Sequence, residues 1–148
     1  TYTAMLGKGV PLAPGAGYSW MSVTFAEIVY TFVLCFTVLN VATLPSNLVM
    51  TAGGSSKQIY GLAIGFCIVA GGYAIGSVSG GSLNPAVSFG LDGSNAMKGG
   101  SFGNCGAYAL FELVGAGVAY GAFAVCRDEE FAKQGLLGKV EKPDYGTA

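Results

Sequence analysis

The sequence predicts an all-α membrane protein with three transmembrane helices and one re-entrant half-helix. Hydrophobic residues make up 52% of the 148 residues and charged residues only 10%, and the mean hydropathy is +0.56. A soluble domain carries about 25% charged residues, so this chain has too few to cover a surface that faces water. Its length fits a single domain. The chain is therefore an integral membrane protein whose expected surroundings are the lipid bilayer.

Three long apolar segments predict the membrane spans. Each holds about the 20 residues that a helix needs to cross a bilayer, and the spans are expected at 20–44, 59–78 and 104–125. Glu27 is the only charged residue of the first span, Glu112 lies in the third, and the second has no charge. We predict an extended N-terminal arm at 1–19, a membrane unit at 20–126 and a charged tail at 127–148.

Composition excludes several function classes. A net charge of −1 gives no reason to expect a nucleic-acid partner. The absence of histidine removes the commonest metal ligand and general base, and no nucleophile–base pair or phosphate-binding loop indicates an enzyme. The four cysteines are Cys35, Cys67, Cys105 and Cys126, and they form no CxxC pair. Two of them are interpreted as small apolar residues inside spans, and no metal or redox role is expected.

The stretch GSVSGGSLNPAVSFGLD, residues 76–92, predicts the half-helix. Asn84 is a good N-cap and Pro85 suits a first helical turn, so Asn84-Pro85-Ala86 starts a helix that we expect at about 84–91. That helix is too short to cross a membrane, so it is expected to enter and return. Its N-terminus would then place free N–H groups and a positive dipole end in the membrane interior. A surface turn between two spans is the alternative.

With these motifs, residues 23–126 resemble one repeat of the aquaporin (major intrinsic protein) family of water and glycerol channels. AEIVYTFVL contains Glu27 and Thr31 in the family's Glu-xxx-Thr spacing, and LAIGFCIVAGGYAIGSVSGGSLNPAVSFG resembles the next span with its re-entrant loop. The spacing from Leu62 to Asn84 is closest to that of the second, C-terminal repeat. The resemblance implies a half-aquaporin-like fold, whereas the family's pore lies between two inverted repeats.

The resemblance also implies roles for individual residues. Glu27 and Thr31 are both expected to be buried. Glu27 is expected to accept hydrogen bonds from the re-entrant backbone, because a carboxylate inside a span needs partners within the protein. Val87 stands where the family's second motif has its filter arginine, and Gly72 stands at the position of the filter histidine. With Gly81 as a third filter-equivalent position, any pore is expected to be wide and uncharged at its constriction.

Phe111-Glu112 departs from the Gly-Pro that the resemblance leads one to expect. We interpret Glu112, together with Asn40, as a contact for a protein partner or a pigment. No cofactor is required by the sequence; bound lipid is one candidate. In a photosynthetic complex chlorophyll or carotenoid is another, with Glu112, Glu27 or Asn40 as the chlorophyll ligand.

Basic residues predict an orientation. Five of them share one side of the membrane and two lie on the other; the five are Lys57, Arg127, Lys133, Lys139 and Lys142, and the two are Lys8 and Lys98. This bias favours a C-terminus on the cytoplasmic or stromal side and an N-terminus outside or in a lumen. With Thr1 as first residue, we expect a cleaved targeting segment or an upstream part, and an organellar membrane such as the thylakoid or inner mitochondrial membrane.

Three functional hypotheses remain open at this stage. The first is a non-catalytic accessory subunit of a larger photosynthetic or respiratory membrane complex that has lost its channel role and packs against other membrane subunits. The second is a half-channel that pairs with another repeat to pass water or small neutral solutes such as glycerol. The third is a full-length channel of which this sequence is a part.

Overall fold

A computed structural model describes residues 5, 7, 9–42 and 57–127 of the chain. Within these residues all regular structure is helical, which confirms the predicted fold class. The long elements are α1 (Trp20–Ala42), α2 (Lys57–Ser79), α3 (Pro85–Ala96) and α4 (Asn104–Cys126). Three of them, α1, α2 and α4, are long and apolar enough to cross a membrane.

Helix α3 is the half-helix, and it is longer than predicted. Its 12 residues span about 18 Å, well short of the about 30 Å of a bilayer's hydrocarbon core. The predicted end near Leu91 is wrong because Asp92 and Asn95 are buried and hold the segment that follows. Asp92 Oδ2 accepts hydrogen bonds from the N–H groups of Gly103 (2.9 Å) and Cys105 (2.8 Å). These bonds tie the end of α3 to the start of α4.

Small residues allow the spans to approach closely. Helix α1 packs against both α2 and α4, and α3 packs against α4. Where α4 crosses α1, a methyl group on Gly115 would lie 2.5 Å from the carbonyl oxygen of Ile28. Because lipid provides no hydrophobic drive for helix association, such contacts are how membrane helices gain packing energy.

The segment before α1 lies against the helix ends. The side chain of Leu12 is fully buried with Val23, Cys105 and Tyr108, and its carbonyl oxygen accepts a hydrogen bond of 2.6 Å from Asn104 Nδ2. Gly15 N–H donates to the carbonyl oxygen of Val78 over 2.9 Å. This segment therefore contacts α1 and α4 and the end of α2.

Several predictions fall outside the described residues. They concern the end of the first span at 43–44, the connection between the first two spans at 45–56 and the charged tail at 128–148. Lys8 and the lysines of the tail, which contribute to the charge bias, also lie outside them. The orientation of the chain in its membrane therefore stays a prediction.

Candidate functional site at the tip of the half-helix

The chain turns sharply between α2 and α3. Gly80 (φ 92°), Gly81 (φ 63°) and Leu83 (φ 58°) all have left-handed backbone conformations. For Leu83 this conformation costs roughly 1–2 kcal/mol. Its side chain packs at Gly71 of α2, where a methyl group would lie 2.7 Å from Leu83 Cδ1. In this tip loop, residues 80–84, the N–H groups of residues 82–84 donate to carboxylates of the neighbouring spans.

Glu27 of α1 accepts the first group of these donors. Its side chain is 0% exposed. Its Oε1 accepts hydrogen bonds from Ser82 N–H (3.1 Å) and Ser79 Oγ–H (2.6 Å), and its Oε2 accepts one from Leu83 N–H (2.9 Å). One carboxylate thus ties the end of α2 and the tip loop to the first span.

Glu112 of α4 accepts the remaining donor. Its Oε1 receives the N–H of Asn84 over 3.0 Å and the hydroxyl of Ser88 over 2.9 Å. The Ser88 hydroxyl also shares a hydrogen bond of 2.7 Å with Ser82 Oγ. Because Glu112 is only 1% exposed and is turned toward its own half-helix, the interpretation of this residue as an outward contact for a partner or pigment does not match the structure.

The tip loop has all its N–H groups hydrogen-bonded, whereas of its carbonyl groups only that of Asn84 accepts hydrogen bonds. Besides the three amides bound to carboxylates, Gly80 N–H donates to the Gly76 carbonyl (3.0 Å) and Gly81 N–H to Ser79 Oγ (3.2 Å). In the part of the chain that the structure describes, none of the four carbonyl oxygens of residues 80–83 accepts a hydrogen bond. These four acceptors therefore have no hydrogen-bond partner within the described part of the chain.

Asn84 caps the half-helix. It has extended backbone angles (φ −157°, ψ 124°), and its Oδ1 accepts the N–H of Ala86 over 2.9 Å, with Pro85 as first helical residue. Its side chain is exposed, so the Nδ2 donor stays available beside the positive end of the α3 dipole. The tip consequently presents one donor next to several acceptors.

The filter-equivalent positions are spread around this tip. Gly72 and Gly81 lie together, since a methyl group on Gly81 would be 3.4 Å from the Gly72 Cα atom. Val87 is 44% exposed on the first turn of α3. Thr31 is buried, and its Oγ1 has no hydrogen-bond partner. Asn40 lies elsewhere on α1 and donates its amide N–H to the Phe36 carbonyl (2.8 Å).

Sequence reasoning missed a serine pair, a tyrosine and an aspartate. Ser79 and Ser82 bridge the tip loop to the carboxylates, and the buried Tyr108 donates its hydroxyl to the Ser79 carbonyl over 2.7 Å. The two serines shortly before Asn84 were the available signal. The aspartate is Asp92, which the sequence places in a polar, glycine-rich stretch with no local sign of burial.

Among the described residues, Asp92 is the one acidic residue that lies outside the three spans. Burial acts to raise the pKa of its carboxyl, but hydrogen bonds from the backbone N–H groups of Gly103 and Cys105 outweigh that effect. The pKa therefore lies below its ordinary value. Within the described residues, no cluster of three or more His, Cys, Asp or Glu side chains could hold a metal ion.

Together these features define a class of membrane protein in which a half-helix headed by Asn-Pro-Ala re-enters a bundle of spanning helices. The chain belongs to the major intrinsic protein family, whose model matches residues 2–124. It is 35% identical to "Probable aquaporin TIP2-1" of Oryza sativa subsp. japonica, in a match covering 85% of this chain and 50% of the relative. It is 39% identical to "Aquaporin TIP2-1" of Zea mays, over 76% and 41% of the two chains.

A third relative is "Probable aquaporin TIP2-2" of Arabidopsis thaliana, 39% identical over 78% of this chain and 44% of the relative. The chain thus spans about half the length of the curated relatives it matches. No solved structure gave a significant match. All three names describe aquaporins, which fits the prediction that the chain is not an enzyme.

Proposed function

We propose that this chain forms one half of a membrane channel and pairs with a second, inverted repeat to pass water or small neutral solutes such as glycerol. The observation that carries the proposal is the two-sided tip loop. Three of its N–H groups are bound to Glu27 and Glu112, whereas the carbonyl groups of residues 80–83 and the side-chain amide nitrogen of Asn84 have no partner among the described residues. This is a polar path built from backbone at membrane depth.

The chemistry of the open side suits neutral hydrogen-bonding solutes. Water or glycerol can donate to the carbonyl oxygens of residues 80–83 and accept from Asn84 Nδ2, which replaces the hydrogen bonds that these solutes lose on leaving bulk water. The positive end of the α3 dipole at the same point disfavours cations. The exposed positions Gly72 and Val87 add no charge to this path.

A second half is needed to cover the tip. Free carbonyl groups are not tolerated against lipid and occur at membrane depth only where they are buried in protein or line a water-filled cavity. An inverted repeat with its own half-helix, either a separate chain or a further part of a longer protein, would enclose that face. The length of this chain, about half that of its relatives, supports the same arrangement.

The channel hypothesis is better supported than the accessory subunit. The relatives are aquaporins by name, and the buried Glu112 binds its own half-helix through Oε1, which argues against a role as an outward contact for a partner or pigment. Participation in a photosynthetic or respiratory complex therefore has no support beyond composition and charge bias. Pigment binding stays a prediction.

Isolation followed by reconstitution tests the proposal. The chain would be purified from its native membranes in mild detergent, the material that travels with it identified by mass spectrometry, and the particle reconstituted for stopped-flow osmotic measurements. We expect a small particle with a second Asn-Pro-Ala repeat and water flux above that of empty liposomes. Co-purification in fixed ratio with a large complex, without added water or glycerol flux, would overturn the proposal.

Asn84→Asp provides a matched variant for the flux measurement. Aspartate keeps the oxygen that caps Ala86 N–H but replaces the amide donor by a negative charge. We expect the folded particle to lose most of its water flux and to discriminate less strongly against cations. Unchanged flux in this variant would mean that solutes do not pass the tip of α3.

A further inference from the structure

The half-helix has limited support from the other helices. Among them, α3 packs mainly against α4, and its tip is tied to α1 and α4 by the two buried glutamates. The opposite end of α3, residues 91–96, is called the outer end here. Its further support comes from residues 9–15 of the segment before α1, which we call the strap.

The strap begins in direct contact with the outer end of α3. A methyl group on Gly9 would lie 2.7 Å from the Cα atom of Asn95 and 2.8 Å from its Oδ1 atom. Asn95 is also in close contact with Gly100, where a methyl group would lie 2.5 Å from Asn95 Cγ, and its Nδ2 donates to the Ser101 carbonyl over 2.9 Å. Asn95 is therefore held by the strap and by the connection that leads to α4.

Leu12 is the apolar anchor of the strap. Its side chain is 1% exposed and is buried in a cluster with Val23, Cys105 and Tyr108. Leu91, at the outer end of α3, packs against the same cluster. The strap and the half-helix therefore share one apolar contact region at the ends of α1 and α4.

Hydrogen bonds attach the strap at two further points. At the start of α4, Asn104 Nδ2 donates to the Leu12 carbonyl over 2.6 Å. At the end of α2, Gly15 N–H donates to the Val78 carbonyl over 2.9 Å. A methyl group on Gly15 would collide with the Ser77 carbonyl oxygen, so only glycine fits there without a shift. The strap thus joins the outer end of α3 to the ends of α4 and α2.

We propose that the strap is a latch for the half-helix: in place it fixes the outer end of α3, and its displacement lets that end turn about the contact with α4. Displacement would separate Gly9 from Asn95 and Leu12 from Leu91 together, because both contacts lie on one short segment. Movement of the chain before Gly9 is thereby transmitted to the half-helix. This inference goes beyond the proposed channel function and does not rest on it.

Hydrogen–deuterium exchange of the full chain in lipid nanodiscs tests the latch, because amide exchange reports local opening. Mass spectrometry follows three segments, which are the strap, the outer end of α3 with its connection (91–103), and the middle of α2 (62–72). Gly9→Ala forces the strap away from the Asn95 backbone. We expect exchange in 91–103 to rise by about tenfold and exchange in 62–72 to stay unchanged.

Leu12→Ala releases the apolar anchor of the strap and should produce the same pattern. The matched control for Gly9→Ala is Gly106→Ala on α4, where an added methyl group would have no other atom within 4 Å beyond its own stretch of helix. The control for Leu12→Ala is Leu110→Ala, because Leu110 is exposed on α4. Both controls should leave exchange in 91–103 unchanged.

Two results would overturn the latch. A rise confined to the strap would show that the outer end of α3 does not depend on it. An equal rise in the middle of α2 would show general loosening of the fold instead of a local release. The two variants break different contacts, so one that folds poorly leaves the other to decide. No flux is measured, so a failed reconstitution would contradict the channel without affecting this result.

Discussion

Glu27 and Glu112 are both buried, but they differ in how completely their oxygens are used. Glu27 has hydrogen bonds on both carboxylate oxygens. Glu112 uses one oxygen for Asn84 and Ser88, and the other is unpartnered. Glu27 therefore uses its full acceptor capacity on the end of α2 and the tip loop, whereas Glu112 holds the half-helix through a single oxygen.

Replacement of Glu27 by leucine should destabilise the protein strongly. It would leave the N–H groups of Ser82 and Leu83 buried without acceptors, and each such group costs about 1–3 kcal/mol. We expect the free energy of unfolding to fall by about 2–5 kcal/mol, measured by denaturation in mild detergent. Glu27→Gln, which keeps one acceptor oxygen, should lose less. Equal stability of Glu27→Leu and the unaltered chain would show that the tip loop does not depend on this carboxylate.

Asp92 makes stability depend on pH. Its folded pKa is lowered, so its contribution is fully present above the unfolded pKa of about 3.9 and is lost as pH falls through the folded value. The unfolding temperature should therefore drop as the pH is lowered below about 4 in the unaltered chain. Asp92→Asn, which carries no ionisable group, should show a smaller drop; an identical drop would assign the acid sensitivity to other groups.

At the scale of elements, the spans are predictable because apolar length alone identifies them. The spanning helices α2 and α4 begin and end within about two residues of the predicted limits, and α1 begins at the predicted residue and is described to Ala42. The start of α3 followed from Asn84 and Pro85, whose capping chemistry is local. Its end did not, because Gly93 and Ser94 suggest a break and the buried contacts of Asp92 and Asn95, which continue the helix, are tertiary.

The crossing of α1 and α4 depends on Gly115. A methyl group there would come within 2.5 Å of the Ile28 carbonyl oxygen and 3.1 Å of Phe32 N, both of them backbone atoms that cannot move aside cheaply. We expect Gly115→Ala to lower the free energy of unfolding by about 1–3 kcal/mol, measured in mild detergent.

Gly117→Ala is the matched control for that change. Gly117 lies on the same helix, and a methyl group added to it would have no other atom within 4 Å beyond its own stretch of helix. The substitution therefore isolates the effect of alanine on the helix itself, and it should be neutral or slightly stabilising. Equal effects of the two substitutions would contradict a close helix crossing at Gly115.

At the scale of the whole molecule, the filter-equivalent positions that this chain would contribute to the proposed channel carry no charge; they are Gly72, Gly81 and Val87. Val87 is exposed on the first turn of α3, where an arginine would add both bulk and positive charge. In reconstituted particles that conduct, we expect Val87→Arg to reduce glycerol flux by about tenfold or more, which corresponds to about 1.4 kcal/mol at the barrier, and water flux by less.

Val87→Met distinguishes the effect of a bulkier side chain on the two fluxes from the effect of an added charge. Methionine adds bulk without a charge, so it should reduce glycerol flux only moderately. Both fluxes are measured by osmotic light scattering in the same preparation. If Val87→Arg changes neither flux, Val87 does not line the path.

The sequence by itself determined the class, the three spans and the start of the half-helix, because these depend on apolar length and on local capping chemistry. It also indicated that Glu27 would need partners, since a carboxylate inside a span is costly. Only the tertiary structure decided where Glu112 is turned and how Ser82 and Ser88 join the carboxylates. Those features depend on how α1 and α4 pack around the tip, which no spacing along the chain encodes.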